Sequence, residues 1–455
     1  YSSAYMNAYA RRSVAHNTVL VRDGVSRSIN GLSVADGGQV PVTSPTGVDG
    51  VQSVAAVQAY DFGGEDINQP DYSYLKSDLT NAYGNSVSSY NRSMVFLNMY
   101  DDDVPGALVV FDRLQTKNTS HKTAWLLHGL KNPTISGNRA VFALDSNGYN
   151  GKMVNDTLLP ETVEISSVAD GYLEKNGTFY GSGYNSGNGV NESEGYRIEV
   201  SPQTQGTQTN YLNVIQVGEA EAEFASPGMI NNDTFVGTVV KDRVVLFSKS
   251  GNLIGEGDAN KGTTQYFFDF SASDDYVYKF AVADAAEGKW EVSYSATGDE
   301  NSYSVIAWAM TNRMNNKKDK GYTISFFGRQ GYYRLKRVSN THTENEPFIS
   351  ETLVLKQLTP GVKLSGNALC VAPRSYSSIA NSTAEYCGKL IISVYNKRTN
   401  ALEEVKILDF IKPEKNGKYI EMLPADKDKV IKTLLVDMQL IRPLASAAEV
   451  YCRAG

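Results

Sequence analysis

One of the four histidines of this chain, His16, stands in "RRSVAHNTVLVRDG" at residues 11–24, directly before an apolar run that alternates like a strand. An imidazole in such a place can ligate a metal ion or transfer protons, or it can simply hydrogen-bond its neighbours at a strand edge. Of the other histidines, His128 lies in the apolar run "WLLHGL", where we expect a buried, hydrogen-bonded ring. His121 and His342 stand in polar stretches and are predicted to lie on the surface.

Other sequence patterns that would indicate a known chemistry are missing. The chain has no G-x-S-x-G elbow, H-E-x-x-H helix, P-loop or G-x-G-x-x-G after a strand, so hydrolytic triads and nucleotide chemistry have no support. Cys370, Cys387 and Cys452 form no C-x-x-C pair, which argues against a thiolate zinc cluster. A Cys370–Cys387 disulfide is an alternative in an exported protein.

The elements that must position these residues are short strands. Alternating segments such as "RSMVFLNMY", "GALVVFDRLQ" and "YRIEVSP" recur between turn residues, which predicts an all-β chain built on a large antiparallel β-sandwich, followed by smaller β-sandwich modules. Helical patterns are scarce, and residues 2–15 and 425–435 are the candidates, with loops as the alternative. Residues 170–195, rich in Gly, Asn, Ser and Tyr, are typical of a long surface loop.

Charge and hydropathy exclude two classes of partner. The 43 basic against 50 acidic residues give a net charge of −7, which lacks the basic field that nucleic acid binding requires. No apolar run approaches the length of about 20 residues that a membrane-spanning helix needs. An anionic ligand must therefore meet a local cluster of cations.

Six segments, taken in order, resemble the C-terminal β-sandwich part of the heparinase II/III-like polysaccharide lyases over roughly residues 5–338. They are "RRSVAHNTVLVRDG", "YLKSDLTNAYGNSVSSYNRSMVFL", "PGALVVFDRL", "KTAWLLHGL", "GYRIEVSP" and "GKWEVS…ISFFGRQGYYRLKR". The resemblance implies a polysaccharide lyase that cleaves a uronate-containing polymer by β-elimination in a cleft between the sandwich and an N-terminal α/α-toroid. That toroid, with most of the catalytic groups, is expected upstream of Tyr1, so we predict a processed or truncated product and assign no catalytic residue to this chain.

The resemblance also implies site residues around the "HNT" motif. His16 would be a ligand of a structural zinc ion whose other ligands precede this chain, with a structural histidine as the alternative. Tyr1 and Tyr5 would stack on a sugar, and Arg11 or Arg12 would meet a carboxylate or sulfate. The roles of Asp78 and Tyr83 stay open, because their segment "DLTNAY" could face the cleft or form a strand-end turn.

The domain organisation expected from these patterns has three parts. Residues 1–250 would form the central sandwich, 251–338 a smaller β-domain of the lyase, and 339–455 an accessory Ig-like β-domain after a polar linker. The expected partners are an acidic polysaccharide and the toroid half, in a secreted, periplasmic or cell-surface protein. The rival interpretation is a noncatalytic carbohydrate-binding or cell-surface structural protein.

Overall fold

The computed structural model describes 9, 12–29, 32–39, 55–63, 70–145, 148, 150–169, 171–173, 179–181, 195–256, 264–272, 278–311, 321–339, 362–365, 368–371, 388–396, 399, 401–410, 419–422, 429–437 and 442–451. The described chain is almost entirely strand, and the predicted all-β sandwich fold is confirmed. Among the described residues, no helix is both long enough and apolar enough to cross a membrane.

Two sheets form the first sandwich. Sheet 1 has four strands in the order β1-β8-β15-β12, and sheet 2 has eight in the order β4-β5-β6-β7-β16-β11-β10-β9. Sheet 1 consists of β1 (Val19–Arg22), β8 (Lys122–Gly129), β15 (Tyr196–Pro202) and β12 (Val163–Ala169). Sheet 2 consists of β4 (Ala56–Gly63), β5 (Tyr72–Asp78), β6 (Val87–Asn98), β7 (Gly106–Thr116), β16 (Gln208–Glu219), β11 (Gly151–Leu159), β10 (Arg139–Leu144) and β9 (Thr134–Ser136).

Two more sheets form the second sandwich. Sheet 3 has the order β17-β18-β19-β21-β24, with β19 and β21 parallel, and sheet 4 has the order β20-β25-β22-β23. Sheet 3 consists of β17 (Gly228–Asn231), β18 (Phe235–Val240), β19 (Arg243–Ser248), β21 (Tyr278–Ala285) and β24 (Tyr322–Gly328). Sheet 4 consists of β20 (Gln265–Phe270), β25 (Gly331–Ser339), β22 (Lys289–Ser295) and β23 (Ser304–Met310).

The four sheets stack in numerical order because both faces of sheets 2 and 3 are apolar. One buried cluster between sheets 1 and 2 includes Trp125 and Tyr211. A second, between sheets 2 and 3, includes Phe111 and Phe247, and a third, between sheets 3 and 4, includes Phe280. Alternate residues of one strand thus enter different cores, as a period of two requires. The domain boundary expected at residue 250 falls between strands that share sheet 3. A boundary before Gly228 would keep sheet 3 in one unit.

The remaining elements are small sheets and single turns. Hairpins pair β2 (Arg27–Ile29) with β3 (Leu32–Val34) and β13 (Gly171–Leu173) with β14 (Phe179–Gly181). The C-terminal strands are β26 (Val362–Ser365), β27 (Ala368–Val371), β28 (Gly388–Asn396), β29 (Leu402–Phe410), β30 (Tyr419–Met422), β31 (Lys429–Asp437) and β32 (Arg442–Tyr451). Three 3₁₀ turns span Ser13–Ala15, Thr80–Ser86 and Glu300–Ser302.

Two local predictions differ from the structure. The helix candidate at 425–435 is wrong where it is described, since β31 occupies Lys429–Asp437 and pairs with β28 and β32 on either side. Its charged residues and leucines fit both the helical and the strand pattern. Pairing with a strand on each edge makes this segment a strand. The loop predicted at 170–195 contains the β13–β14 hairpin, and most of its other residues lie outside the described part.

Candidate functional site

The "HNT" motif lies between the 3₁₀ turn at Ser13–Ala15 and the edge strand β1 of sheet 1. His16 and Asn17 are exposed, while Thr18 is buried. The backbone carbonyl of Thr18 accepts the amide of Leu126 on β8 at 2.8 Å. The motif is therefore tied to the sheet by its third residue, while its first two project at the sheet edge.

Asn17 connects the motif to His128 at the far end of β8. Its Oδ1 accepts the backbone amide of His128 at 2.9 Å and lies 2.9 Å from the ring Nδ1. The other ring nitrogen, Nε2, lies 3.0 Å from the carbonyl of Val14, to which it must donate. The predicted hydrogen-bonded role of His128 is confirmed, although the ring is half-buried rather than buried.

The protonation of His128 depends on burial, which lowers its pKa, and on the hydrogen bond to the Val14 carbonyl, which raises it. Burial is the largest effect and lowers its pKa to about 4, so the ring is neutral near pH 7. In the neutral form with the proton on Nε2, Nδ1 is an acceptor that faces another acceptor, the Asn17 carbonyl oxygen. The ring and backbone of His128 therefore hold the Val14–Asn17 segment through the Nε2 bond to Val14 and the amide bond to Asn17, while Nδ1 faces the Asn17 oxygen.

Tyr83 secures Thr18 from inside the first sandwich. Its hydroxyl donates to the carbonyl of Val19 at 2.5 Å and lies 3.0 Å from Thr18 Oγ1. Burial raises the pKa of Tyr83 to about 12, so the phenol remains protonated. Asp78 makes a strand-end turn, since its Oδ1 accepts the amide of Thr80 at 2.9 Å. Neither contact places these two residues in a cleft.

Arg92 on β6 supports the motif from sheet 2. Its guanidinium binds Asp112 in a bidentate fork at 2.7 and 2.9 Å and donates from Nη1 to the carbonyl of Asn17 at 2.8 Å. Sequence reasoning missed this residue. The available signal was its place in "YNRSMVFL", a strand with a long apolar end, where a half-buried arginine calls for a carboxylate partner.

A second charged group lies beside His128 on sheet 1. Arg22 and Arg197 both bind Glu199, at 2.8 and 2.9 Å, and Arg197 is the register partner of His128. Burial acts to raise the pKa of Glu199, but the charges and hydrogen bonds of the two arginines outweigh it and lower that pKa. Two guanidiniums share one carboxylate, so this part of the sheet carries an excess positive charge.

An open pocket of about 590 Å³ begins at the residue after His128. The end of β8 forms one wall, with Leu130 and Lys131, while β11 contributes Lys152 and Met153. Glu219, at the end of β16, is the carboxylate among its lining residues. Within the described residues neither lysine is ion-paired, so two cations and an apolar floor can meet the carboxylate and the ring of an acidic sugar.

The predicted substrate-binding residues fall in different places. Tyr1, Tyr5 and Arg11 lie outside the described residues. Arg12 is 2 % exposed and directs its Nε and Nη2 to Asp36 Oδ2 at 3.0 and 2.9 Å. A substrate carboxylate could reach the Arg12 fork only by displacing Asp36. The substrate role of all four residues stays a prediction.

The predicted zinc site can be compared with the side chains near His16 that could bind a metal ion. His16 is exposed and has the right chemistry for one ligand, but the described residues contain no group of three or more His, Cys, Asp or Glu side chains that could hold a metal ion. His128, on the neighbouring strand, directs Nε2 to the carbonyl of Val14, and its Nδ1 faces the Asn17 oxygen. The residues described here thus fit a single zinc ligand, and the zinc site stays a prediction.

Comparisons with known proteins give one family-model match and several similarities to solved structures. Residues 229–337, which cover nearly all of sheets 3 and 4, match the heparinase II C-terminal domain. Among solved structures, heparinase III is 13 % identical, with a TM-score of 0.30 over 52 % of this chain and 30 % of that one. A second heparinase III gene product is 11 % identical, with a TM-score of 0.30 over 51 % and 29 %. The chain thus spans about 30 % of the length of these structures. No curated protein sequence matches the chain.

Proposed function

We propose that this chain is the β-sheet part of a polysaccharide lyase acting on a uronic-acid-containing polymer, because residues 229–337 match the heparinase II C-terminal domain. That family match is the observation that carries the proposal. The proposal includes a partner, an N-terminal α/α-toroid half, and a secreted, periplasmic or cell-surface location. It also includes His16 as one ligand of a structural zinc ion.

The reaction would be a β-elimination. A base takes the C5 proton of a uronate, the C5–H electron pair forms the C4–C5 double bond, and the C4–O4 bond breaks as O4 receives a proton. The developing charge on the uronate carboxyl group must be stabilised by nearby cations or donors. No water is consumed, and the product is an unsaturated sugar.

The geometry supports a substrate-binding role for this chain. Lys131 and Lys152 line the pocket at the end of β8, and they would meet the uronate carboxylate. Neither Tyr83 nor His128 suits the role of base or acid, because the Tyr83 phenol is protonated and donates to Val19, and the His128 ring lies against Val14 and Asn17. We therefore assign the proton-transfer groups to the toroid half.

The same observation favours a second candidate, a noncatalytic carbohydrate-binding protein. A chain that binds an acidic polymer through Lys131 and Lys152, with neither Tyr83 nor His128 available as a base, would bind without cleaving. The two candidates differ in the product that they leave.

The test is incubation of the protein, combined with its proposed toroid half, with uronate polymers, followed by the ultraviolet absorbance of the unsaturated product. Wild-type protein should generate this product, and the double variant Lys131→Ala, Lys152→Ala should lose roughly tenfold or more in kcat/KM, corresponding to about 1.4 kcal/mol of binding. The matched control, Lys122→Ala at the exposed start of β8, should not change the rate. Binding without any unsaturated product would overturn the lyase proposal and leave the second candidate.

A further inference from the structure

The outer face of sheet 4 carries exposed aromatic rings that the proposed reaction does not use. Phe267 on β20 is 49 % exposed and Tyr332 on β25 is 40 % exposed. The ring of Tyr303 stands edge-to-face against Phe267, with centroids 6.0 Å apart. These three residues, which we call the aromatic face, lie on the side of sheet 4 opposite its packed core.

A row of polar and cationic side chains continues from the aromatic face. Tyr332, Arg334 and Lys336 alternate along β25, an inner strand of sheet 4, so their side chains share one side at intervals of about 6.7 Å. Arg334 lies opposite Phe267 in the register, with its guanidinium 5.1 Å from the centroid of Tyr303. Ring surfaces and cations therefore form one linear strip.

The cation at the centre of this strip is only loosely held. Arg334 Nη2 lies 3.4 Å from Ser293 Oγ and 4.0 Å from Glu291 Oε1, neither of which is a short ionic hydrogen bond. Flanking strands contribute the carboxylates of Asp269, opposite Tyr332, and Glu291, opposite Lys336. The acids lie at the sides of the strip and the cations along its middle.

The position of Tyr332 depends on a glycine. A Cβ on Gly298 would come within 2.9 Å of the Tyr332 ring, and Gly298 has a φ of +83° that favours glycine. The Tyr332 ring thus packs against Gly298 and remains 40 % exposed to solvent. This arrangement holds an aromatic surface in place without covering it.

From this geometry we infer that the outer face of sheet 4 is a noncatalytic binding surface for an extended acidic polysaccharide. Sugar rings stack on Tyr332 and Phe267, and a carboxylate or sulfate binds Arg334 and Lys336. The inference deepens the proposed function, on which its choice of ligand rests. The isolated rings set among charged side chains suit a thin polar chain better than a protein, whose binding surface has a contiguous apolar centre.

The experiment measures binding of the purified protein to a carboxylated and to an uncharged polysaccharide by calorimetry and affinity electrophoresis. Phe267→Ala and Arg334→Gln should each weaken binding of the acidic polymer roughly tenfold, about 1.4 kcal/mol. Binding should also weaken as salt is added, because Arg334 and Lys336 are partly exposed to solvent. Phe96→Ala is the matched control, since Phe96 is 47 % exposed on sheet 2 in the first sandwich.

Two outcomes would contradict the inference. Unchanged binding in both variants, with folding confirmed by circular dichroism, would overturn it. Self-association of the protein that Phe267→Ala abolishes, without glycan binding, would replace it with a protein contact. The lyase is tested separately, because the Lys131→Ala, Lys152→Ala variant should keep the affinity of the sheet 4 face, so lost cleavage with retained binding affects only the proposed function.

Discussion

Lys76 of sheet 2 and Asp284 of sheet 3 form an ion pair of 2.9 Å across the interior that separates the two sandwiches. Arg113 reaches the second oxygen of the same carboxylate at 2.8 Å, and Tyr74 donates to the first at 2.8 Å. Asp284 is 0 % exposed and has a φ of +60°, a conformation rarely adopted by residues other than Gly, Asn or Asp. Burial acts to raise the pKa of Asp284, but the two cations and the hydrogen bonds lower it.

Asp284→Asn should strongly destabilise the stacked sandwiches. The amide tolerates the backbone conformation, but it leaves Lys76 and Arg113 buried without their negative partner, a loss of about 3–5 kcal/mol. Chemical denaturation should show a lower midpoint. The exposed Asp102→Asn is the control and should leave the midpoint within experimental error. Equal midpoints for Asp284→Asn and wild type would mean that the cluster is not a net contributor.

Asp61 should make the protein less stable as the pH rises. Its Oδ2 accepts the amide and hydroxyl of Thr323 at 2.9 and 2.7 Å, and burial raises its pKa to about 6. The unfolded value is about 3.9, so the folded state binds this proton more tightly. The contribution is therefore complete below the unfolded value and is lost as pH rises through about 6.

The measurement compares wild type with Asp61→Asn between pH 4 and pH 7. Wild type should lose on the order of 2–3 kcal/mol relative to the variant over this range, because the amide does not titrate. Taking the difference removes the titration of the other carboxyl groups. A constant difference across the range would contradict the raised pKa.

Asn17 should protect the amide of His128. Asn17→Ala removes the oxygen that accepts this amide, so hydrogen exchange at residue 128 should accelerate roughly tenfold, for a local loss of about 1.4 kcal/mol. Asn17→Asp is the matched variant, since its carboxylate keeps an acceptor in place. Equal protection in the two variants would show that the amide is held by sheet pairing alone.

Gly129→Ala should destabilise the end of β8. A Cβ at this position would come within 2.2 Å of the Phe142 ring, which is itself buried at the pocket. The ring must shift, at an expected loss of about 1–3 kcal/mol in the free energy of unfolding. The control is Gly206→Ala, where the nearest atom would lie at 3.7 Å. A thermal melt in which both variants match wild type would mean that the ring moves freely.

Much of the architecture was predictable from the residues because strands have a short period. Alternation in "RSMVFLNMY" and "YRIEVSP" predicted β6 and β15, and the structure confirms both. The same reasoning failed at 429–437, where leucines and lysines fit either period. The parallel pairing of β19 with β21 was also not predictable, since it joins strands that are separated along the chain by β20 of another sheet.

By itself, the sequence determined that this protein is all-β and that it carries a net charge of −7, and it yielded the prediction that His16 is a zinc ligand. Local periodicity and composition are properties of neighbouring residues, and they need no fold to be read. Only the tertiary structure decided that Arg92 and His128 hydrogen-bond to Asn17 and that Arg12 forms an ion pair with Asp36. It also decided that Tyr332 and Arg334 share the outer face of sheet 4. These relationships join residues tens of positions apart or depend on which face of a strand is covered, and both follow from how the sheets stack.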